Sequence, residues 1–340
     1  MGTNEKNGRV RRVIIASSIS IIAIAIIFKF TETSITWKAI SQANIWLLFI
    51  GLLFHGFFWI FWALRLKFLA ALLDHSVTFV HSLRTTLASN FLAAITPSSA
   101  GGEPLRVKML SDAGMSYGSA TAVVLAERLL DAIFFISALP VFLLISDFSI
   151  GFGLKVGGIF LVFLVLFIVF LRELLKRPDR IERLLNWAKR KSGNSRIIRA
   201  IEREVWMFRD AAIELAKDSK AQLSALFTIT ALIWLSEFLV PSFLLLSLGQ
   251  NPSFLYSITS QLIIVIISLI PLTPGSSGIA EFSMSYMYSQ FVPQHVLGVL
   301  VGLWRGITYF TNLMVGAIFV GFVNSLVNVK KYQNSKLKKE

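Results

Sequence analysis

Three arginines and five carboxylates lie inside or beside long apolar runs, and their types divide between two chemistries. Arg106, Arg128 and Arg305 carry a planar, permanently charged fork that matches a phosphate group. Glu103, Glu127, Asp131, Glu237 and Glu281 are carboxylates able to hold an ammonium group or a sugar hydroxyl. A charged side chain at the centre of a bilayer costs about 2.5–3.5 kcal/mol on insertion scales, so several are tolerated only where they face protein or water and find partners. The expected arrangement is a buried cavity that holds a charged headgroup between arginine donors and carboxylates. The competing arrangement is a set of ion pairs that only fixes helix register. For Glu281, on a short arm, water is a rival partner.

Two turns are placed to organise these side chains. Ile95 to Arg106 contains Thr96, Pro97, Gly101 and Gly102, and Pro271 to Glu281 contains Thr273, Pro274, Gly275 and Gly278. Both read Thr-Pro, then small residues, then Gly, then Glu. Proline removes a backbone donor and breaks a helix, and glycine frees the chain to turn. Such backbone survives at membrane depth only when buried in protein or lining a wet cavity, and a matched pair of broken segments points to a central substrate site. Backbone amides freed at the turns are further candidates for an anion, with Ser98, Ser99, Ser276 and Ser277 beside them. The two halves also share a spacing, since Arg128 follows Thr96 by 32 positions and Arg305 follows Thr273 by 32.

The elements that hold these turns are membrane helices. The chain has 340 residues, 55% hydrophobic and 15% charged, where a soluble domain has about 25% charged residues. The expected fold is an all-α polytopic membrane protein forming a single integral domain over 1–340. Full crossings are expected at Val13–Phe30, Ile45–Leu64, Ser119–Ile145, Phe152–Leu171, Ala221–Leu248 and Val296–Val323. Arg65 and Lys67 are read as the basic foot of the second. Two re-entrant hairpins around the turns at 95–106 and 271–281 complete eight membrane segments in a probable inverted repeat. Eight full crossings would place the ends identically. The first half spans 13–171 and the second 221–325. Between them, 172–220 is read as a basic amphipathic helical hairpin in the cytoplasm. Its apolar stripes are Ile181, Leu184, Leu185, Ala188 and then Ile198, Ile201, Val205, Phe208, Ala212, Leu215, with a turn at Ser192-Gly193-Asn194. Residues 326–340 form a basic tail.

The net charge of +14 is concentrated in loops and tails, where it sets orientation and meets anionic lipid rather than nucleic acid. Both termini are therefore placed in the cytoplasm and the protein in the cell membrane. With no cysteine there is no thiolate chemistry, and the four histidines (His55, His75, His81, His295) are not spaced for a metal. No cofactor and no metal are expected.

The runs Gly102-Glu103-Pro104-Leu105-Arg106 and Glu127-Arg128-Leu129-Leu130-Asp131, the turn Pro271 to Glu281, and Arg305 ahead of Tyr309 resemble the lysylphosphatidylglycerol synthase transmembrane-domain family, also called the flippase-like domain family. The resemblance covers nearly the whole chain. It implies a multi-pass protein moving an anionic or aminoacylated phospholipid, or a lipid-linked glycan, between leaflets. In the best-known members a soluble aminoacyl-transferase follows the membrane part. This chain, ending at Glu340, is expected to resemble the stand-alone branch. The expected function is lipid flipping without catalysis. Two alternatives are a scaffold that recruits a cytoplasmic synthase through 172–220, and an intramembrane transferase using Glu103 or Asp131 as general base.

Overall fold

A computed structural model describes residues 34–96, 101–146, 150–176, 196–217, 219–269 and 273–319, with isolated positions in 18–29 and 179–190. The first expected crossing, the 181–194 part of the cytoplasmic hairpin, Pro97 with its neighbours to Ala100, and the basic tail lie wholly or largely outside the described residues.

Described in order are α1 (Ser34–Ser41), α2 (Ile45–Ala71), α3 (Phe79–Ala94), α4 (Gly102–Asp112), α5 (Tyr117–Ile145), α6 (Ile150–Lys176), α7 (Arg196–Ala216), α8 (Lys220–Ser247), α9 (Phe254–Ser268), α10 (Ile279–Tyr288) and α11 (Gln294–Arg305). A π-helical turn over Gly306–Phe310 continues α11, and the apolar helix as a whole runs Gln294–Phe319. Among the described residues there is no β-strand.

Local chemistry sets the starts. Asn44 caps α2 by accepting from the amides of Trp46 and Leu47, Thr78 caps α3, and Ser116 caps α5. Ser219 and Gln222 form a reciprocal capping box at the start of α8. Among the described residues, four helices are long and apolar enough to cross a membrane: α2, α5, α8 and the helix beginning with α11. Their 26–29 residues span roughly 40 Å at 1.5 Å per residue, against a hydrocarbon layer of about 30 Å. The helices flanking the two turns are shorter, with 16 and 11 residues in α3 and α4 and 15 and 10 in α9 and α10.

Lipid tails are as apolar as leucine, so packing at membrane depth rests on van der Waals fit and polar bonds. The most extensive helix pair is α2 with α8. Phe58 and Trp62 of α2 meet Phe134 and Phe135 of α5, Ile233, Trp234 and Phe238 of α8, and the buried faces of α9, α10 and α11. A second cluster joins Leu66, Leu69 and Ala70 of α2 to Val123 and Val124 of α5 and Ala211 and Leu215 of α7. On the opposite face of α2, Trp46, Phe49, Leu53, Phe57 and Leu64 are exposed, as a lipid-facing surface requires.

One sequence expectation changes. The second crossing does not end at Leu64: α2 continues to Ala71 with Leu66 and Leu69 buried, so Arg65 is interior and only Lys67 of the expected basic foot is exposed. The apolar face of α7 packs against a protein neighbour, α5. The Gly118 amide donates to the Glu204 carboxylate at 2.9 Å, and a Cβ at Gly118 would lie 2.1 Å from the Glu204 carbonyl oxygen. Only glycine permits that approach.

Candidate functional site

Trp62 is the hub of the first polar cluster. The guanidinium carbons of Arg65, Arg106 and Arg128 lie 5.7, 4.7 and 5.2 Å from its ring centroid, within the range of cation–π attraction. Its indole N–H donates to Glu127 Oε1 at 2.9 Å. Glu127 Oε2 accepts from Arg106 Nη1 at 3.0 Å, and Arg65 Nε stands 3.5 Å from Glu127 Oε1. Four residues along α5, Asp131 Oδ1 accepts from Arg65 Nη1 at 2.7 Å and from Trp234 Nε1 at 2.8 Å, while Arg128 Nη2 lies 3.3 Å from Asp131 Oδ2. Arg65 Nη1 also donates to Thr230 Oγ1, and Arg106 Nη2 to Ser89 Oγ. Buried carboxylates are tolerable when each is paired and hydrogen-bonded, and Glu127 and Asp131 meet that condition. The Glu103–Arg128 pair is different, being 3.9 Å apart with side chains 39% and 32% exposed.

The second cluster is simpler. Glu281 and Arg305 form a bidentate pair, with Nε to Oε1 at 2.9 Å and Nη2 to Oε2 at 3.0 Å. Glu281 Oε2 also accepts from the Gly278 amide at 2.7 Å. Glu281 is fully buried, with Arg305 and the Gly278 amide among its partners. The Arg305 guanidinium lies 4.8 Å from the Tyr309 ring centroid, on the π-helical turn that follows.

The two broken turns meet. The Gly275 amide donates to the Thr96 carbonyl at 3.2 Å, and the Tyr309 hydroxyl donates to the Ala94 carbonyl at 3.2 Å. Gly275 has φ of +58°, and a Cβ there would lie 2.4 Å from the Ala94 carbonyl oxygen. Thr96 Oγ1 donates to the Leu92 carbonyl and accepts from the Gly101 amide, closing the end of α3.

Around this junction is a cavity of about 330 Å³. Its charged lining is Glu103, Arg106, Arg128, Glu237 and Arg305, set among Trp62, Trp234 and Trp304. Asn90 Nδ2, Arg106 Nε, Arg128 Nε and Trp304 Nε1 are buried donors in this lining without a hydrogen-bond partner among the described residues. The three arginines of this lining suit an acceptor-rich group such as phosphate. On the wall formed by α2 and α8, Glu237 Oε2 lies 2.7 Å from Nδ1 of fully buried His55. Among the described residues no group of three or more His, Asp or Glu side chains is placed to hold a metal.

The family model for the lysylphosphatidylglycerol synthase transmembrane region matches residues 13–316. The chain belongs to this family. It is 48% identical over 322 residues to a UPF0104 membrane protein of Archaeoglobus fulgidus, covering 93% of this chain and 98% of that one. It is 25% identical over 300 residues to a UPF0104 membrane protein of Pyrococcus horikoshii, covering 84% and 89% of the two chains. A UPF0104 membrane protein of Methanothermobacter thermautotrophicus is 25% identical over 310 residues, with 86% and 84% covered.

In this member of the lysylphosphatidylglycerol synthase transmembrane-region family, the eight candidate side chains fall into three sets. Glu103, Arg106, Glu127, Arg128 and Asp131 gather on Trp62, Glu281 pairs with Arg305 across the cavity, and Glu237 stands apart with His55. Glu127, Asp131 and Glu281 sit behind the cavity wall and hold its arginines rather than facing the space themselves. Of the turn residues, Gly102 and Gly275 line the cavity, while Thr96 and Gly101 close the first turn. Thr273, Pro274 and Gly278 belong to the second turn, and Gly278 contributes its amide to Glu281. Sequence reasoning missed Arg65, His55 and the Trp62 hub. The signal for Arg65 was present: Phe58, Trp62, Leu66 and Leu69 share its helical face, which continues the apolar run beyond it. His55 carried no comparable signal, because its partner is 182 positions away.

Proposed function

We propose that this membrane protein carries a phospholipid or lipid-linked headgroup between leaflets through the cavity at the junction of its two broken segments. One observation carries this: three arginines from three separate helices line a space bounded by both turns. A cavity of about 330 Å³ is at the lower end of the roughly 300–1,000 Å³ of ligand pockets, a size for a headgroup rather than a whole lipid. Glu103 and Glu237 add carboxylates for a headgroup that also carries an amine or hydroxyls.

In this proposal the arms α3–α4 and α9–α10 are re-entrant hairpins of opposite orientation, related by an inverted repeat, with six full crossings around them. Their shortness supports it, as does a repeated pairing. Glu103 and Arg128 lie 7 and 32 positions after Thr96, and Glu281 and Arg305 lie 8 and 32 after Thr273. The second pair is closed and buried, while the first is loose and half-exposed. Two related gates in opposite states are what alternating access requires. The protein is placed in the cell membrane with both termini in the cytoplasm. Its partners are anionic or aminoacylated lipid or lipid-linked glycan, and it acts as a carrier without a cofactor. The close docking of α7 on α5 weighs against a free surface there for recruiting a synthase.

The test is translocation of fluorescent phosphatidylglycerol and an aminoacylated analogue in proteoliposomes, with wild type beside Arg128→Ala. Movement in wild type that falls roughly tenfold or more in folded Arg128→Ala supports the proposal. Equal movement in both proteins, or none of either lipid by wild type, overturns it for these lipids.

A further inference from the structure

Beside the polar cavity lies a larger apolar groove of about 860 Å³. Val107 of α4, Val124, Leu125, Leu129 and Ala132 of α5, and three phenylalanines of α6 form its walls. Phe163 is 66% exposed there, whereas Leu164 beside it is buried, so the groove opens sideways from α6. Two residues line both spaces, Glu103 and Arg128. No other lining residue is shared.

These two are also the weakest link in the network. Every other arginine of the cluster has a carboxylate contact of 3.0 Å or less and is nearly or fully buried. Arg128 reaches Asp131 at 3.3 Å and Glu103 only at 3.9 Å, and its Nε has no hydrogen-bond partner. A half-exposed pair at that separation contributes little stability, so parting it is easy. Its position sets a charged threshold between a donor-lined chamber and an apolar trough.

We infer that one amphiphile occupies both spaces, its phosphate in the cavity and a hydrocarbon chain in the α4–α5–α6 groove, with Glu103–Arg128 as the threshold it crosses. This rests on the proposed headgroup cavity and adds the side of entry. The phosphate takes the Arg128 guanidinium, releasing Glu103 toward any amine or hydroxyl on the headgroup. The chain stays in contact with the bilayer throughout, so its apolar surface never enters the charged chamber. An apolar groove and an arginine-lined cavity that share Glu103 and Arg128 as wall residues select an amphiphile over another protein segment.

The experiment uses the full chain in proteoliposomes with two chain-diazirine photoprobes, a phosphatidylglycerol and a polyprenyl phosphate. Labelled residues are mapped by mass spectrometry. Binding of water-soluble glycerol phosphate to the same protein is measured by calorimetry. The expected result is labelling by one probe concentrated on Thr121, Leu125, Phe163 and Phe167, which also tells the two lipid sources apart. Thr121→Trp, which fills the groove, should cut that labelling roughly tenfold while leaving glycerol phosphate affinity unchanged. Labelling spread equally over Phe49, Leu53 and Phe57 of α2 means ordinary boundary lipid and overturns the groove assignment, whether or not glycerol phosphate binds. Groove labelling without glycerol phosphate binding sustains the groove and overturns the headgroup cavity instead. Since the labelling is read first on wild type, a Thr121→Trp protein that fails to fold does not remove the test.

Discussion

Replacing Arg65 with methionine keeps an unbranched apolar stem and removes the charged guanidinium, which tests what that group does. It deletes the 2.7 Å bond to Asp131, the 3.0 Å bond to Thr230 and the 3.5 Å contact with Glu127. The Trp62 cluster then holds the cations Arg106 and Arg128 against Glu103, Glu127 and Asp131. Removing one partner of a buried pair typically costs about 3–5 kcal/mol, because the other charge stays buried. Here Asp131 keeps Trp234 and Arg128, and Glu127 keeps Trp62 and Arg106. The loss should therefore fall near the lower end, about 3 kcal/mol, or roughly a hundredfold in the unfolding equilibrium. Adding Asp131→Asn restores the charge balance while retaining an acceptor for Trp234. The double variant should recover most of the loss, with a coupling at the upper end of the ~0.5–3 kcal/mol seen between contacting residues. The assay is unfolding in mixed micelles, followed by helicity, for wild type, both single variants and the double. Arg65→Met matching wild type, or a double variant equal to the sum of the singles, would refute the account of Arg65 as the central counter-charge.

Gly275→Ala should lower stability by about 2 kcal/mol or more, since the left-handed conformation costs about 1–2 kcal/mol and the new methyl meets the Ala94 carbonyl; an unfolding midpoint equal to wild type contradicts the close approach of the turns. Gly118→Leu should lift α7 from α5, seen as faster limited proteolysis within 196–217 while the membrane helices stay protected. Arg305→Lys should lose translocation and about 1–2 kcal/mol of stability, because a lysine cannot reproduce the two-point bond to Glu281. Unaltered transport by that variant would show that charge alone suffices at this position.

How far the sequence carried the fold depended on whether a feature was local. Apolar length and the two Thr-Pro-Gly turns are local signals, so the helical membrane class, the boundaries of α5 and α8, and the short arms were legible to within a few residues. That Glu103 and Arg106 could cluster with Glu127, Arg128 and Asp131 was legible from their depth, but which side chain pairs with which was not. That Gly275 bonds to Thr96 depends on packing between the two halves, which no spacing rule gives. Arg65 was misplaced for a specific physical reason. A cation at the end of an apolar run was taken as an anchor to the headgroup region, whereas a carboxylate at the right depth on α5 keeps it inside. His55 went unassigned because one histidine among phenylalanines and tryptophans looks the same whether it packs or pairs. The groove beside the cavity was invisible, since its walls are ordinary apolar residues of three helices.

The burial of Arg65 has a consequence for how the protein is made. Its partners come late, with Asp131 lying 66 positions and Thr230 165 positions further along the chain. At synthesis rates of roughly 5–20 residues per second, α2 emerges about 3–13 s before Asp131 does. During that interval the arginine would cost about 2.5–3.5 kcal/mol at mid-bilayer. If Arg65 reaches that depth, the nascent α2 is expected to stay at the insertion machinery, or to rest with Arg65 drawn toward the interface, until α5 supplies the counter-charge. A charge network built from helices far apart in the chain is thus expected to bear on the order in which those helices release into lipid.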